Sequence, residues 1–527
     1  MTSAVLLAWL LCGVPAEEFD TAVVCPQEFR AALEPWAEFR RGQGHQLTFV
    51  SNLHSPQQLR DEVRRLAAGG KLKYLVLVGD ADPRMVTEPA VRRRSIPAHY
   101  AKAEVNVQFG SSPEIATDNW YADLDDDRVP DVAVGRITCD SASELTLVVE
   151  KILAYERSAD FGSWRRQVHF VAGLGGFGAV ADTVLEAAAK SLISDGVPSA
   201  YCTTMTYGSW QSPYCPDPRM FRDVTLSRLN EGSLFWVYLG HGQQRSVDEV
   251  RVPGGRFPIL STDDTIELAC QHGAPIACFL ACYSGAYDLP RDCLAEEMLV
   301  TEGGPVAILC GSRVTMPYAM SILGQELMTG FFADRRPTLG AVMHAAKRNT
   351  TLRSRDDAEC RQFDAVATML MPMAADLDAQ RREHLYLFNL LGDPLLRMRH
   401  PQPVDVAAPQ QVTAGETLTV RGQSPLGGQA VIELVVRRDR LTFVQPDRDV
   451  WDRTTTGHGE RQETYARAND PRLTSIERTL PAGPFEFELP VPAAAKGDCH
   501  VRVYVAGNDG FGLGSSDVKV VAAKRTP

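Results

Sequence analysis

Between residues 20 and 400, short apolar runs alternate with stretches whose apolar positions recur every three or four residues. The first pattern predicts buried strands and the second amphipathic helices, so their alternation predicts α/β layers. "TAVVC" (21–25), "QLTFV" (46–50) and "KYLVLVGD" (73–80) are the strands of a first half. "PQEFRAALEPWAEFRRGQG" and "SPQQLRDEVRRLAAG" are helices between them, the second capped by Ser55 with Pro56 in its first turn. "SASELTLVVEKILAYER" closes that half as a helix begun by a Ser141–Glu144 capping box. A second half is predicted from strands 167–172, 233–239, 275–281 and 304–310, with helices at 181–193 and 337–348.

The pattern changes near residue 400. "HPQPVDVAAPQ" is predicted to be a Pro-rich linker. Beyond it come short alternating runs: "ETLTV" (416–420), "VIELVV" (431–436), "FEFEL" (485–489), "HVRVYVAG" (500–507) and "VKVVA" after a Gly-rich turn. These predict an all-β sandwich of about 125 residues. The expected plan is α/β over 17–160 and 161–400, followed by the sandwich over 401–527.

Composition narrows the function classes. The apolar fraction of 44% is that of a globular chain. A formal charge of −12 repels phosphate, so nucleic acid is not expected as a partner. The triplet Arg92-Arg93-Arg94 is expected in a solvated loop. "MTSAVLLAWLLCGVPAEEF" has an apolar stretch over residues 4–14, too short to span a bilayer as a helix. With small residues at Val14 and Ala16, residues 1–16 are expected to be a secretory leader, although the leader's first residues lack Lys and Arg. Export is therefore expected, with no later membrane span and no long pro-segment before residue 20. Of the 12 cysteines, Cys278 and Cys310 lie in apolar runs and are expected as buried thiols. Cys202 and Cys215 flank a polar, aromatic loop and are the best candidate disulfide in an exported chain.

Two motifs raise the question of ligands. Gly173-x-Gly175-x-x-Gly178 lies between a predicted strand and helix, the context of a dinucleotide-binding turn. The next strand, "SAYCTTMTYG", carries no acid to hold a ribose, so a nucleotide is not expected. The glycines serve equally to let a loop approach something else closely. "NWYADLDDDRVPDVAVGR" sets Asp123, Asp125 and Asp127 at alternate positions, with Asp131 beyond. Alternation converges oxygens on a hard cation, yet Arg128 replaces the required glycine and no twelfth-position Glu follows, so this is not an EF-hand. It is either a solvated acidic loop or a structural calcium site. No cofactor is expected for catalysis.

The chemistry centres on two strand ends. "GSLFWVYLGHGQQ" (232–244) ends its apolar run on Gly240-His241-Gly242, and "APIACFLACYSG" (274–285) on Cys282. Ligands bind at the carboxyl ends of parallel strands, so both side chains are expected on one rim. A thiol beside an imidazole can pass it a proton and become a nucleophilic thiolate. Gly242 leaves its N–H unshielded for an oxyanion. Ala281, Ser284 and Gly285 are small and are expected to leave room for a substrate carbonyl. His272-Gly273 also reads "HG", but it begins the strand that Cys282 ends. Seven residues at ~3.3 Å put it roughly 23 Å away. Cys278 is mid-strand. A lone cysteine at a strand end reads as structural; two strand ends carrying GHG and AC-x-x-G read as a dyad.

These residues carry a resemblance. "SLFWVYLGHG" followed by "IACFLACYSG", with "YLVLVGD" (74–80), "TDNWYADLDDDRVPDVAVGRI" (117–137) and "LFNLLGDPLLRM" (387–398), resembles the gingipain-like cysteine peptidases, family C25 of the caspase-like clan. The resemblance covers about residues 20–400. It implies a caspase-like three-layer fold in two α/β halves and hydrolysis of protein or peptide substrates through a thioester. It implies Cys282 as nucleophile, His241 as general base, and the N–H groups of Gly242 and Cys282 as oxyanion hole. It also implies an immunoglobulin-like module over 401–527 and structural calcium. There are departures. In the family an acid in the loop after the strand matching 167–172 assists the catalytic histidine, whereas "GLGGFG" has none. Basic specificity there needs an Asp in the S1 pocket; Asp182 falls near the matching place and otherwise reads as a helix N-terminal acid. The alternative function is that of a non-catalytic or surface-processing relative acting by binding through its sandwich.

Overall fold

The computed structural model describes residues 19–175, 192–194, 196–352, 364–365, 368, 376–451, 454 and 458–523. The expected leader (1–16), Asp182 and most of the helix expected at 181–193 lie outside the described residues. No helix among the described residues is long and apolar enough to cross a membrane.

One ten-stranded sheet organises residues 20–400. Its strands are β1 (Thr21–Val24), β2 (Leu47–Val50), β3 (Tyr74–Val78), β4 (Ala133–Ile137), β5 (Gln167–Ala172), β6 (Cys202–Tyr207), β7 (Phe235–Leu239), β8 (Ile276–Leu280), β9 (Ala307–Gly311) and β10 (Phe388–Leu391). The order is β2-β1-β3-β4-β10-β9-β8-β7-β5-β6. Strands β1, β3, β7, β8 and β9 are buried, as their unbroken apolar runs require. Helices α1 (Arg30–Gly42), α2 (Pro56–Ala67), α3 (Ala142–Arg157) and α4 (Leu339–Leu352) are among those that cover the sheet. Ser55 caps α2 with a complete capping box, as expected. On α3 the Ser141 hydroxyl caps the Glu144 N–H, while the Glu144 carboxylate reaches back to Asp140 instead.

Strand β10 joins the halves. It runs antiparallel to β9 and parallel to β4, so the two halves point in opposite directions within one sheet. The carboxyl ends of β7, β8 and β9 therefore share an edge with the amino end of β4. Asp393, just past β10, is fully buried and binds Arg40 and the Trp36 indole N–H of α1. Arg40 also pairs with Glu156 of α3 at 2.7 Å. That network fixes the "GDP" turn under the first half.

Among the described residues the C-terminal module is all-β apart from one helix. Its main strands are β11 (Thr417–Ser424), β12 (Gly428–Val436), β13 (Arg472–Leu480), β14 (Gly483–Pro490), β15 (Gly497–Ala506) and β16 (Phe511–Val521). They form two sheets around their own apolar core. The segment expected as a linker is part of this module. Residues 402–403 and 411–413 pair with β16, and 405–407 pair with β11. The prolines there mark short edge strands, which need fewer ladder donors.

An excursion between β12 and β13 carries helix α5 (His458–Ala468) and covers the exposed edge of β6. The Asn469 amide just after α5 pairs with the Met205 backbone as a neighbouring strand would, at 2.6 and 3.0 Å. Elsewhere Glu433 of β12 binds both Arg166 and Arg502, and Arg438 donates to the carbonyls of Ile193, Val197, Pro198 and Tyr201.

The expected Cys202–Cys215 disulfide does not form: all ten described cysteines are free thiols. Cys202 opens β6, whereas Cys215 follows Tyr214, whose carbonyl accepts the N–H of Tyr207 at the strand's far end. Five strand steps span roughly 17 Å, far beyond the ~7 Å Cα limit of a disulfide.

Candidate active site

Strands β7 and β8 are parallel neighbours in which Leu239 pairs with Leu280. Two residues further along each, the same register sets His241 beside Cys282 on the carboxyl rim. Adjacent strands lie about 4.8 Å apart, within reach for a thiol and an imidazole. Both residues are partly exposed there, while the strands beneath are sealed. His272 precedes β8 and lies at the opposite edge, as the strand count demanded. Cys278 is 1% exposed, and burial pushes its thiol up to about 12, so it stays protonated.

The glycines around His241 are fixed by contact. Gly240 has φ +151°, and a Cβ on it would sit 2.8 Å from the Tyr238 hydroxyl. A Cβ on Gly242 would lie 2.3 Å from the carbonyl oxygen of Cys282. The backbones that carry His241 and Cys282 thus touch at the rim. Among the described residues no hydrogen bond engages the N–H of Gly242 or of Cys282. Both remain available to an oxyanion.

The small residues after the cysteine serve differently from expectation. Tyr283 is held left-handed at φ +54°, at a cost on the order of 1–3 kcal/mol, and turns the chain sharply away from the rim. Ser284 is fully buried. A Cβ on Gly285 would lie 2.2 Å from the Cys310 sulfur of β9. Ser284 and Gly285 therefore let the turn sink into the core; they do not line space for a substrate. Ala281 is likewise wholly buried.

Two further residues shape the site. The Thr315 N–H donates to Cys282 Sγ at 3.3 Å, with the Thr315 hydroxyl at 3.6 Å. Thr315 follows β9, the other neighbour of β8, so reading the next strand end would have found it. Tyr238 donates from its hydroxyl to the His241 carbonyl at 2.9 Å and fixes the histidine's backbone. Burial raises the Tyr238 phenol well above its usual range and keeps it a donor. It read as an apolar strand residue because its ring is one.

Gly173, first of the three spaced glycines, packs against the strand that leads to His241. Its N–H donates to Leu239, and a Cβ there would stand 2.9 Å from the Tyr238 hydroxyl. Gly178 lies outside the described residues. A cavity of about 490 Å³ opens on this rim between Gly173, Met205, Tyr207 and Gly240 on one side and Arg438 and Asn469 of the module on the other.

The acidic loop converges in part. Asp123, Asp125 and Asp131 bring carboxylate oxygens within 4.8 Å of one another. Asp127 does not join them, a correction to the expected four. Its carboxylate turns back to accept the Val129 N–H at 2.7 Å. Asp123 is 2% exposed, and burial raises its pKa against the pull of Arg60. Its oxygens accept the N–H groups of Asp126 and Arg128. An all-oxygen set of three carboxylates fits a hard cation.

The model of peptidase family C25 matches residues 14–399. Gingipain R2 of Porphyromonas gingivalis is 21% identical over 422 residues, 76% of this chain and 49% of the relative. Lys-gingipain of the same organism is 22% identical over 306 residues, 55% of this chain and 15% of the relative. The chain thus spans about half the length of the first relative and less of the second. The crystal structure of the Arg-specific cysteine proteinase gingipain R shares the fold, with a TM-score of 0.54 and 17% identity. That match covers 96% of this chain and 99% of the other.

Proposed function

Because the chain belongs to peptidase family C25, we propose that it is a cysteine endopeptidase in which His241 and Cys282 form the catalytic dyad. One observation supports the reading: the Leu239–Leu280 register, continued two residues along each strand, brings His241 and Cys282 to the same open rim of a sealed sheet. His241 takes the Cys282 proton, and the thiolate attacks a peptide carbonyl carbon. The resulting oxyanion accepts the N–H groups of Gly242 and Cys282. Collapse expels the amine, which takes the proton from His241, and leaves a thioester. Water, deprotonated by His241, then releases the acid and restores the thiol.

The test is cleavage of a diverse peptide library. Cys282→Ala and His241→Ala are expected to fold and to lose hydrolysis by at least about a thousandfold, since nucleophile and base act as one unit. Cys278→Ala is expected to stay active with about 1 kcal/mol less stability. A Cys282→Ala protein that still hydrolyses peptides would overturn the reading. We also propose that Asp123, Asp125 and Asp131 hold a structural calcium ion, on the strength of their converging oxygens.

A further inference from the structure

The sequence leaves the dyad without its acid: no carboxylate occurs in "GLGGFG" after β5. The structure supplies one from another direction. After His241 the chain folds straight back on itself. Gly242 pairs with Val247 in an isolated antiparallel bridge, closed by Gln243 N–H donating to Ser246 at 2.8 Å. One step back along that register, His241 stands opposite Asp248. Residues opposite each other on antiparallel segments have Cβ atoms about 4.5–5.5 Å apart.

Asp248 is built in. Its side chain is 7% exposed. Oδ1 accepts the Glu249 N–H at 2.8 Å. Oδ2 is shielded from solvent with no hydrogen-bond partner among the described residues. A Cβ on Gly173 would lie 3.1 Å from that oxygen, so the glycine opening the acid-free loop makes the space Asp248 fills. Tyr238 ties the pair to one pivot: its hydroxyl donates to the His241 carbonyl and accepts the Asp248 N–H at 3.2 Å.

Among the charged groups around Asp248, Glu249 repels it, and exposed Arg251 stands 4.0 Å away. Burial raises the Asp248 pKa, and among neighbouring charges His241 lowers it most. A carboxylate with one shielded oxygen unspent gains from a cationic donor, and His241 becomes one when it takes the Cys282 proton.

We propose that Asp248 is the positioning residue of the dyad, its Oδ2 receiving a ring N–H of His241 and stabilising the imidazolium that pairs with the Cys282 thiolate. This rests on the reading of His241 and Cys282 as the catalytic pair. Such contacts tighten as the complex forms. The acid thus comes from the segment after the histidine, where the relatives' pattern placed it in the loop after β5.

The experiment uses the full chain with Asp248→Asn, which keeps the side chain's shape, and Asp248→Glu. Iodoacetamide alkylation of Cys282, followed by mass spectrometry of its peptide from pH 5 to 9, reads thiolate without any substrate. In Asp248→Asn, alkylation at pH 6 is expected to fall about tenfold and its rise to move about one pH unit higher. Peptide kcat is expected to fall by a similar factor at near-constant KM, and Asp248→Glu to recover much of both. An alkylation profile for Asp248→Asn that superimposes on the wild type overturns the proposal, even if the melting temperature drops. Failure of the dyad itself has a different signature: wild-type Cys282 would show only ordinary thiol reactivity and Cys282→Ala would remain active, and the proposal would fall with it.

Discussion

Gly242 sets the spacing of the proposed dyad without supplying a side chain. Its α-carbon stands where any Cβ would meet the Cys282 carbonyl oxygen at 2.3 Å, and backbone cannot swing aside as a side chain can. Gly242→Ala must push β7 and β8 apart at the rim. Displacements of ~1 Å at a reacting pair cost about a hundredfold in rate. The expected outcome is a kcat/KM at least about a hundredfold lower, with a melting temperature within a few degrees of the wild type. A fully active Gly242→Ala enzyme would show that the two backbones need not touch. At this scale the position of His241 and Cys282 just past two strand ends was legible, because sealed apolar runs announce where strands end. Asp248 and Thr315 were not. One reaches the site through a hairpin register and the other through a third strand, and neither relation leaves a spacing in the sequence. Ser284 and Gly285 were misread because small residues signal closeness, and only the fold says to what.

The alternation of patterns foretold most strands of both halves, yet β4 and β10 escaped it. In β10, "FNLL" is a short apolar run directly after a helix, too brief to separate from that helix by period. Its role is the largest of any strand, since it reverses direction between the halves. That reversal brings the acidic loop, at the amino end of β4, to the same sheet edge as the dyad. Helix α5 was equally hidden, because its polar face looked like loop and its value lies in covering β6. The loop's own prediction follows from its three converging carboxylates. Calcium at a hundred times its Kd would stabilise the fold by about 2.7 kcal/mol. The melting temperature of metal-stripped protein is expected to rise with calcium in ~0.15 M salt, where exposed charges are screened within ~8 Å. Magnesium, which gives up its waters reluctantly, should act far less. Asp125→Asn should blunt the calcium response, and Asp127→Asn should not, because Asp127 faces away. A melting curve indifferent to calcium in stripped protein would dispose of the site.

Across the whole molecule, buried charge ties separate parts together. Glu433 clamps the module to Arg166, and Asp393 binds α1 beneath the central turn. A third link joins the two halves. Asp80 follows β3 in the first half, and Glu296 lies on the short helix Leu294–Leu299 after the nucleophile turn in the second. Their carboxyl groups meet, both buried. Burial raises both, Glu296 to about 7 with Asp292 adding repulsion, and Asp80 well above its ordinary value. Two carboxyl groups in contact away from water must share a proton. The sign of the pH dependence follows. The folded protein keeps a proton that the unfolded chain releases above the ordinary Glu range near pH 4.5. Stability from this pair is therefore full below that pH and is lost as pH rises towards about 7. Other carboxylates titrate in the lower part of the same window, so the useful quantity is the difference between two proteins. Glu296→Gln keeps a hydrogen-bonding group of the same shape and cannot ionise. Its melting temperature relative to the wild type is expected to rise steadily from pH 5 to pH 7 and to level off above. If the difference stays constant across that range, Glu296 is not the group holding the proton, and the halves are held together without it.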